Sequence, residues 1–221
     1  MNHDLQSDLM VALERSHRLG TIGGDLKEQL AHCASFSSLL AQLQAEAPDR
    51  AQTSGVDLGT GGGLPGLAIA ASRPDMAWVL VEMRVARATE VERTALRLGI
   101  DDRCEVVASE AQNVGHDPRY REHFDIAVAR AFGPPSVTAE CATGVVAVGG
   151  VFVVSEPPAD VTPDVADRWD VEGLHALGFG SPRLVDHDGA RFAVMIKERG
   201  APERIPRRPA RSNRGWYRAS T

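Results

Sequence analysis

The residues whose types and spacing could do chemistry lie together in Gly55-Val-Asp-Leu-Gly-Thr-Gly-Gly-Gly-Leu-Pro-Gly66. Val56 and Leu58 alternate as in a buried strand, and the glycines after them let the backbone turn sharply and approach a ligand where a Cβ would collide. Pro65 suits the first turn of a helix, where its missing N–H goes unneeded. Gly61-x-Gly63-x-x-Gly66 fits the dinucleotide fingerprint, in which a helix N-terminus receives a pyrophosphate. Asp57 argues against that ligand. A carboxylate at the strand end would repel a pyrophosphate, whereas it would suit the ammonium and sulfonium groups of S-adenosylmethionine. Asp-x-Gly-x-Gly therefore reads as a methyltransferase loop. Ala77-Trp-Val-Leu-Val-Glu82 reads as a second strand whose terminal carboxylate, Glu82, is placed to accept both hydroxyls of a ribose. The plainer alternative is that Asp57 and Glu82 merely cap loops.

The elements that must position this loop follow from periodicity. Leu5, Leu9 and Leu13 recur at helical spacing until Gly20 and Gly23-Gly24, and Asp25-Leu-Lys-Glu28 resembles a capping box. It opens a second helix with an apolar stripe of Leu26, Leu30, Leu40 and Leu43. His32 within it is expected to be a partly buried polar residue. Residues 66–72 form a small-residue helix, 84–98 another, and Cys104 to Ser109 a third strand, whose weak alternation suggests burial on both faces. A polar loop over 113–122 leads to a fourth strand (124–130), a helix over 138–148 and a fifth strand (150–155). The segments 182–186 and 191–197 are separated by only four residues, too few for a helical crossover, so they pair as an antiparallel hairpin. His187 in that turn is expected to be solvated. The alternation predicts an α/β fold, a Rossmann-like sheet parallel over at least five strands with an antiparallel C-terminal hairpin. This is the class I S-adenosylmethionine-dependent methyltransferase arrangement. We expect an N-terminal helical cap over 1–50, the Rossmann-like domain over 51–198 and a basic, flexible tail over 199–221.

Composition sets bounds on partners. A chain of 221 residues with 43% hydrophobic side chains supports a sizeable core. No apolar run reaches the roughly 20 residues that span a bilayer, and the polar start is no signal peptide, so a cytoplasmic protein without membrane contact is expected. Cys33, Cys104 and Cys141 lack metal-ligand spacing and read as reduced, partly buried thiols, with no metal site. The net charge is −6, yet from Lys197 onward eight basic residues face two acidic ones. A local basic tail can hold phosphates while the body stays acidic.

With these pieces placed, the chain resembles the bacterial 16S ribosomal RNA (guanine-N7)-methyltransferases, also called glucose-inhibited division protein B. The resemblance runs from about His32 to Arg211 and is carried by Val56-Asp-Leu-Gly-Thr-Gly-Gly-Gly-Leu-Pro-Gly66, Phe124-Asp-Ile-Ala-Val-Ala-Arg-Ala-Phe132 and Pro202-Glu-Arg-Ile-Pro-Arg-Arg208. It implies S-adenosylmethionine as cofactor, methylation of a guanine N7, and 16S rRNA or the small ribosomal subunit as partner. It further implies cofactor-loop contacts at Gly59 and Leu64 beside Asp57, Gly61 and Gly63, ribose contact at Glu82, an adenine border at Ala111-Gln112, and a cofactor and catalytic role for Arg130 at the active-site mouth. A guanidinium at the end of a central strand also sits where open α/β sheets bind ligands. For RNA the expected contacts are Arg87, Arg204, Arg207, Arg208, Arg211 and Trp216, whose tail mixes arginines with aromatic rings able to stack on bases.

Departures from the family pattern keep other readings open. Ala86-Arg87 stands where the family usually has Lys-Arg, Glu110-Ala-Gln112 where it has Arg-x-Glu, and Ser155-Glu156 where it has Lys-Gly. His32-Cys-Ala-Ser-Phe36 replaces its His-x-x-Asp-Ser. Lost cations weaken phosphate contacts. A paralogue using S-adenosylmethionine on another substrate, such as a small molecule, and a non-catalytic RNA-binding or assembly protein are the alternatives.

Overall fold

A computed structural model of the chain describes residues 3–47, 53–158, 160–161, 168–208 and 215–218. Its elements in order are α1 (His3–Arg18), α2 (Leu26–Glu46), β1 (Ser54–Leu58), α3 (Gly66–Ser72), β2 (Ala77–Val81), α4 (Val85–Arg97), β3 (Cys104–Val107), α5 (Ala111–Val114), β4 (Phe124–Ala129), α6 (Pro135–Val145), β5 (Val146–Glu156), α7 (Val171–Ala176), β6 (Arg183–His187) and β7 (Ala190–Ile196). The seven strands form one sheet in the order β3-β2-β1-β4-β5-β7-β6. Pairing is parallel from β3 to β5, and β7 runs antiparallel to both β5 and β6. The chain reverses its direction of travel across the sheet between β1 and β4, and such a switch point opens a crevice at the carboxyl ends of the strands.

Alternation within the strands assigns the two faces. Leu80, Ile126 and Val128 join Leu9, Leu13, Leu30, Phe36, Leu67 and Val91 on one side, while Val56, Leu58, Ala127 and Phe152 join Ala139, Ala142 and Trp169 on the other. The N-terminal helices therefore share a core with α3 and α4. As the capping-box reading predicts, Asp25 caps α2, its Oδ1 accepting from Lys27 N at 2.9 Å and Glu28 N at 3.1 Å.

Several elements differ from the sequence reading. β3 is an edge strand with Glu105 exposed and Val106 and Val107 half-buried, so its mixed composition reflects a free edge rather than double burial. α5 occupies the start of the expected polar loop. α6 begins three residues before the expected helix, behind Pro134, and β5 begins four residues early at Val146. His187 ends β6 rather than lying in the turn; its side chain is 17% exposed, and its Nε2 and Ser38 Oγ share a hydrogen bond at 2.9 Å. The turn itself is Asp188-Gly189, both with positive φ (47° and 75°), a geometry that matches the twist of a two-residue hairpin.

The described part of the expected flexible tail is packed onto the body. Ile205 is fully buried, and Pro206 lies where a Cβ on Gly115 or Gly144 would meet it at 2.8 Å. Arg121 Nη1 donates to the carbonyls of Gly115 (2.8 Å) and Ile205 (2.9 Å). Arg218 donates to both carboxylate oxygens of Asp170, at 2.9 and 2.8 Å.

Candidate active site

A cavity of about 590 Å3 opens at the carboxyl ends of β1 and β2. Four residues expected to meet the cofactor line it: Gly59, Glu82, Ala111 and Gln112. Glu82 follows β2 directly and is buried; its Oε1 accepts from Arg84 N at 2.8 Å, which fixes the carboxylate at the wall. Gln112 is buried in the first turn of α5, and Glu110, at the N-cap, is exposed on the rim. Gly59 has φ +73°, and a Cβ there would stand 2.5 Å from Phe132. The loop thus turns in a conformation that favours glycine, and the Phe132 ring occupies the space a side chain would need.

The remaining loop residues point elsewhere. Asp57 is fully buried beneath α3, its Oδ2 accepting from Gly66 N at 2.8 Å. Burial above all pushes its carboxyl up to about 6, against the hydrogen bonds that favour the anion. Period-2 alternation turns Asp57 onto the α1–α4 face, where Oδ2 holds the N-terminus of α3, while its Oδ1 is buried without a hydrogen-bond partner among the described residues. Gly63 and Leu64 do not reach the cavity either. A Cβ on Gly63 would meet Leu67 and Leu13, Leu64 is buried in the core with α1, and Thr21 and Ile22 lie over Gly62. Gly61, at φ +60°, stands outside the cavity lining, with Gly59 O and Thr21 O as its nearest neighbours.

Arg130, at the end of β4, lies at the mouth outside the cavity lining, and its Nη2 donates to Gln29 Oε1 on α2. It ion-pairs with neither Asp57 nor Glu82. Its charge nevertheless acts on its neighbours: burial first, then Arg130, lowers His32 to about 4. Cys33, beside the same guanidinium, is pushed up to about 12 by burial. His32 Nε2 shares a hydrogen bond with Ser155 Oγ at 3.0 Å, and Ser35 Oγ donates to Asp188 O at 3.0 Å. α2 thereby touches β4, β5 and the β6–β7 turn in succession. Glu156 is buried and engaged, with Arg168 at 2.7 Å and Trp169 Nε1 donating at 3.1 Å.

The expected RNA-facing residues divide. Arg87 is half-buried in the cavity wall, and Arg204 and Arg208 are exposed. Arg207 is not a free cation, since its Nε donates to the buried Glu140 at 2.8 Å and its backbone N to the same carboxylate at 3.1 Å. Trp216 is half-buried and packs edge-on with Trp169, ring centroids 6.0 Å apart. Arg211 lies outside the described residues. Met83, Ser109, Phe132, Gly133, Pro134 and Val137 also line the cavity, without having been singled out in the sequence. Phe132 alone carried a signal, since it follows the strand-ending Arg130 within the family-like segment. Among the described residues, no three His, Cys, Asp or Glu side chains cluster as metal ligands, and no helix is long and apolar enough to cross a membrane.

Comparison with known proteins agrees with this architecture. A solved O-methyltransferase from Bacillus cereus in complex with SAH superposes with a TM-score of 0.59 at 16% identity, covering 86% of this chain and 91% of that one. Cofactor-bound Rv0187 from MTB gives 0.59 at 18% identity, over 90% and 92%. At such identities the likeness is one of fold, that of the class I methyltransferases. Sequence relatives are closer. The ribosomal RNA small subunit methyltransferase G of Dictyoglomus thermophilum is 30% identical over 203 residues, 88% of this chain and 80% of the relative. That of Synechococcus sp. (strain RCC307) is 37% identical over 155 residues, 70% of this chain and 61% of the relative. Residues 29–157, which run from Gln29 on α2 through the glycine loop to the end of β5, match the family GidB, rRNA small subunit methyltransferase G. Because that match spans more than half of the chain and contains both the cavity and its mouth, the chain belongs to the rRNA small subunit methyltransferase G family.

Proposed function

We propose that this protein transfers a methyl group from S-adenosylmethionine to N7 of a guanine in small-subunit ribosomal RNA, in the cytoplasm, with the small ribosomal subunit or its RNA as partner. The observation that carries this reading is the cavity over β1 and β2, where a buried carboxylate, a glycine without room for a Cβ and the α5 amide residue converge, in a chain of this family. These residues suit the cofactor: Glu82 matches the ribose hydroxyls, Gly59 holds the left-handed turn that carries the loop past the cavity, and Ala111-Gln112 borders the adenine. When bound, S-adenosylmethionine supplies an electrophilic methyl group on its sulfonium sulfur.

The chain's own residues have little proton chemistry to perform. Guanine N7 carries a lone pair in the neutral base, so no general base is required. His32 is neutral at pH 7, its proton affinity lowered by burial and by the neighbouring Arg130. Their work is placement and charge complementarity. Arg130, steadied by Gln29, presents its remaining N–H groups to acceptor atoms of the incoming nucleotide. Exposed Arg204 and Arg208, with Arg87 at the cavity wall, supply cations for phosphates.

The test is methyl transfer from labelled S-adenosylmethionine to rRNA and 30S particles from cells lacking the protein, with Arg130→Ala alongside. Label at a guanine N7, lost in the variant, is expected. Cofactor binding without any label on RNA would point to a different substrate.

A further inference from the structure

A second cavity, of about 510 Å3, lies on the same carboxyl edge of the sheet, over the end of β5 and the start of β7, and it is lined by His32, Glu156, Asp186, His187, Asp188 and Arg191 among others. β4 and its Arg130 stand between it and the cofactor cavity. In an open α/β sheet one side of the switch point holds the cofactor, which leaves this side for whatever accepts the methyl group.

Its wall and rim have distinct chemistry. His32 presents an imidazole held edge-on by Phe36 (centroids 5.5 Å, 74°) and tilted against Phe192 (5.7 Å), with Ser155 holding its Nε2. With its proton affinity lowered to about 4, the ring is a neutral aromatic surface at pH 7. Two of the cavity's carboxylates are already matched with guanidinium groups: Glu156 with Arg168, and Asp186 with Arg191 at 3.1 Å. Asp188 is 62% exposed, and His187 Nε2 lies 3.5 Å from its Oδ2. The turn that carries it is fastened to α2 at two points, Ser35 to the Asp188 carbonyl and Ser38 to His187, so the carboxylate projects from a fixed rim.

We infer that this cavity receives the target base of the RNA, with His32 as the surface on which the base lies and Asp188 as acceptor for the N1–H and N2–H donors of a guanine. The inference rests on the RNA reading given above. The exposed carboxylate of Asp188 accepts N–H donors and not phosphate oxygens, so what it would engage is the edge of a base. A carboxylate accepts two adjacent N–H donors, which guanine offers at N1 and N2, whereas adenine has an acceptor at N1. N2 and N7 lie at opposite ends of the purine. Engaging N2 at the hairpin therefore leaves N7 directed back across β4 toward the cofactor side.

The experiment uses the full chain saturated with S-adenosylhomocysteine, and follows the His32 ring resonances by NMR during titration with guanosine or adenosine. Guanosine is expected to shift them and adenosine to leave them in place. Asp188→Asn is expected to weaken guanosine binding at least about tenfold, the size of effect a bidentate base contact carries. S-adenosylhomocysteine affinity should stay within about twofold in that variant, since a single charge change outside the cofactor cavity is nearly neutral there. Asparagine tolerates the left-handed turn position, so the variant folds. Guanosine that leaves His32 unmoved, or that binds Asp188→Asn as it binds the unaltered protein, would overturn the assignment. Loss of the RNA reading shows differently: no methyl transfer to RNA, with guanosine binding to His32 and Asp188 intact, would sink the RNA substrate and keep the base site.

Discussion

The ring of Phe132 fills the space that a side chain at residue 59 would need, for a Cβ on Gly59 would stand 2.5 Å from Phe132 Cδ2. Ala131 between Arg130 and Phe132 has φ +50°, a left-handed turn that sends Arg130 toward α2 and Phe132 into the cofactor cavity. Neighbours in sequence thus serve the two halves of the site. Gly59→Ala would meet both the ring and a backbone strain of about 1–2 kcal/mol. S-adenosylhomocysteine affinity measured by calorimetry should fall about tenfold or more, equivalent to roughly 1.4 kcal/mol. Adding Phe132→Ala should restore part of it; a double variant that binds no better than Gly59→Ala would exclude the ring as the cause.

Glu82→Gln tests the ribose contact. A hydrogen bond to a charged group contributes about 1.5–3 kcal/mol, so cofactor affinity should drop by roughly ten- to a hundredfold. Folding stability should change little, because the amide oxygen can still accept from Arg84 N, the bond now made by Oε1. An unchanged dissociation constant would remove Glu82 from the cofactor site.

Arg207 and Arg208, adjacent in the tail, should behave differently. Removing Arg207 leaves the buried Glu140 carboxylate without its cation, and Arg207→Ala should lower unfolding free energy by about 2–4 kcal/mol in urea titrations. Arg208→Gln and Arg204→Gln should leave stability nearly unchanged. Each is expected instead to reduce the slope of log RNA affinity against log salt by about one. Equal salt slopes for the parent and these variants would take the tail arginines off the RNA.

Stability against pH contains two opposed contributions at the mouth. Asp57 is raised to about 6 in the fold, so between its ordinary value and 6 the folded state holds the extra proton and stability falls as pH rises. His32 is lowered to about 4, so from 4 to its ordinary 6.5 the unfolded state holds the extra proton and stability rises with pH. The two oppose each other between about pH 4 and 6. His32→Phe removes the rising contribution, so the variant's unfolding free energy should fall relative to the parent's as pH rises from about 4.5 to 6.5. A parallel pair of pH profiles would contradict the lowered His32.

Much of this was legible in the sequence because it is local. Leu9, Leu13, Leu30 and Leu40 announced their burial through helical spacing, and the four residues between the last two strands forced an antiparallel hairpin. Glu82 stood out because a carboxylate that ends an apolar strand is costly to bury unless hydrogen-bond donors meet it. The contacts that could not be read locally depend on partners remote in sequence. Trp216 has the composition of a stacking tail until Trp169, 47 positions earlier, is seen beneath it, and Glu140 claims Arg207 from 67 positions away. Asp57 has the right type at the right position, but its hold on the N-terminus of α3 depends on the side of the strand on which it falls, and that is set by the whole sheet.

The bonds from α2 occur at Gln29, His32, Ser35 and Ser38, and they reach Arg130 on β4, Ser155 on β5, then Asp188 and His187 at the β6–β7 turn. Three residues of α-helix advance about 4.5 Å, close to the roughly 4.8 Å between neighbouring strands. The helix is laid across the sheet edge like a rack on a set of evenly spaced teeth, one engagement for each step. One residue inserted between Gln29 and Ser38 would rotate the later teeth by about 100° and uncouple the hairpin from Arg130. The length of this stretch of α2 is therefore a dimension of the site itself.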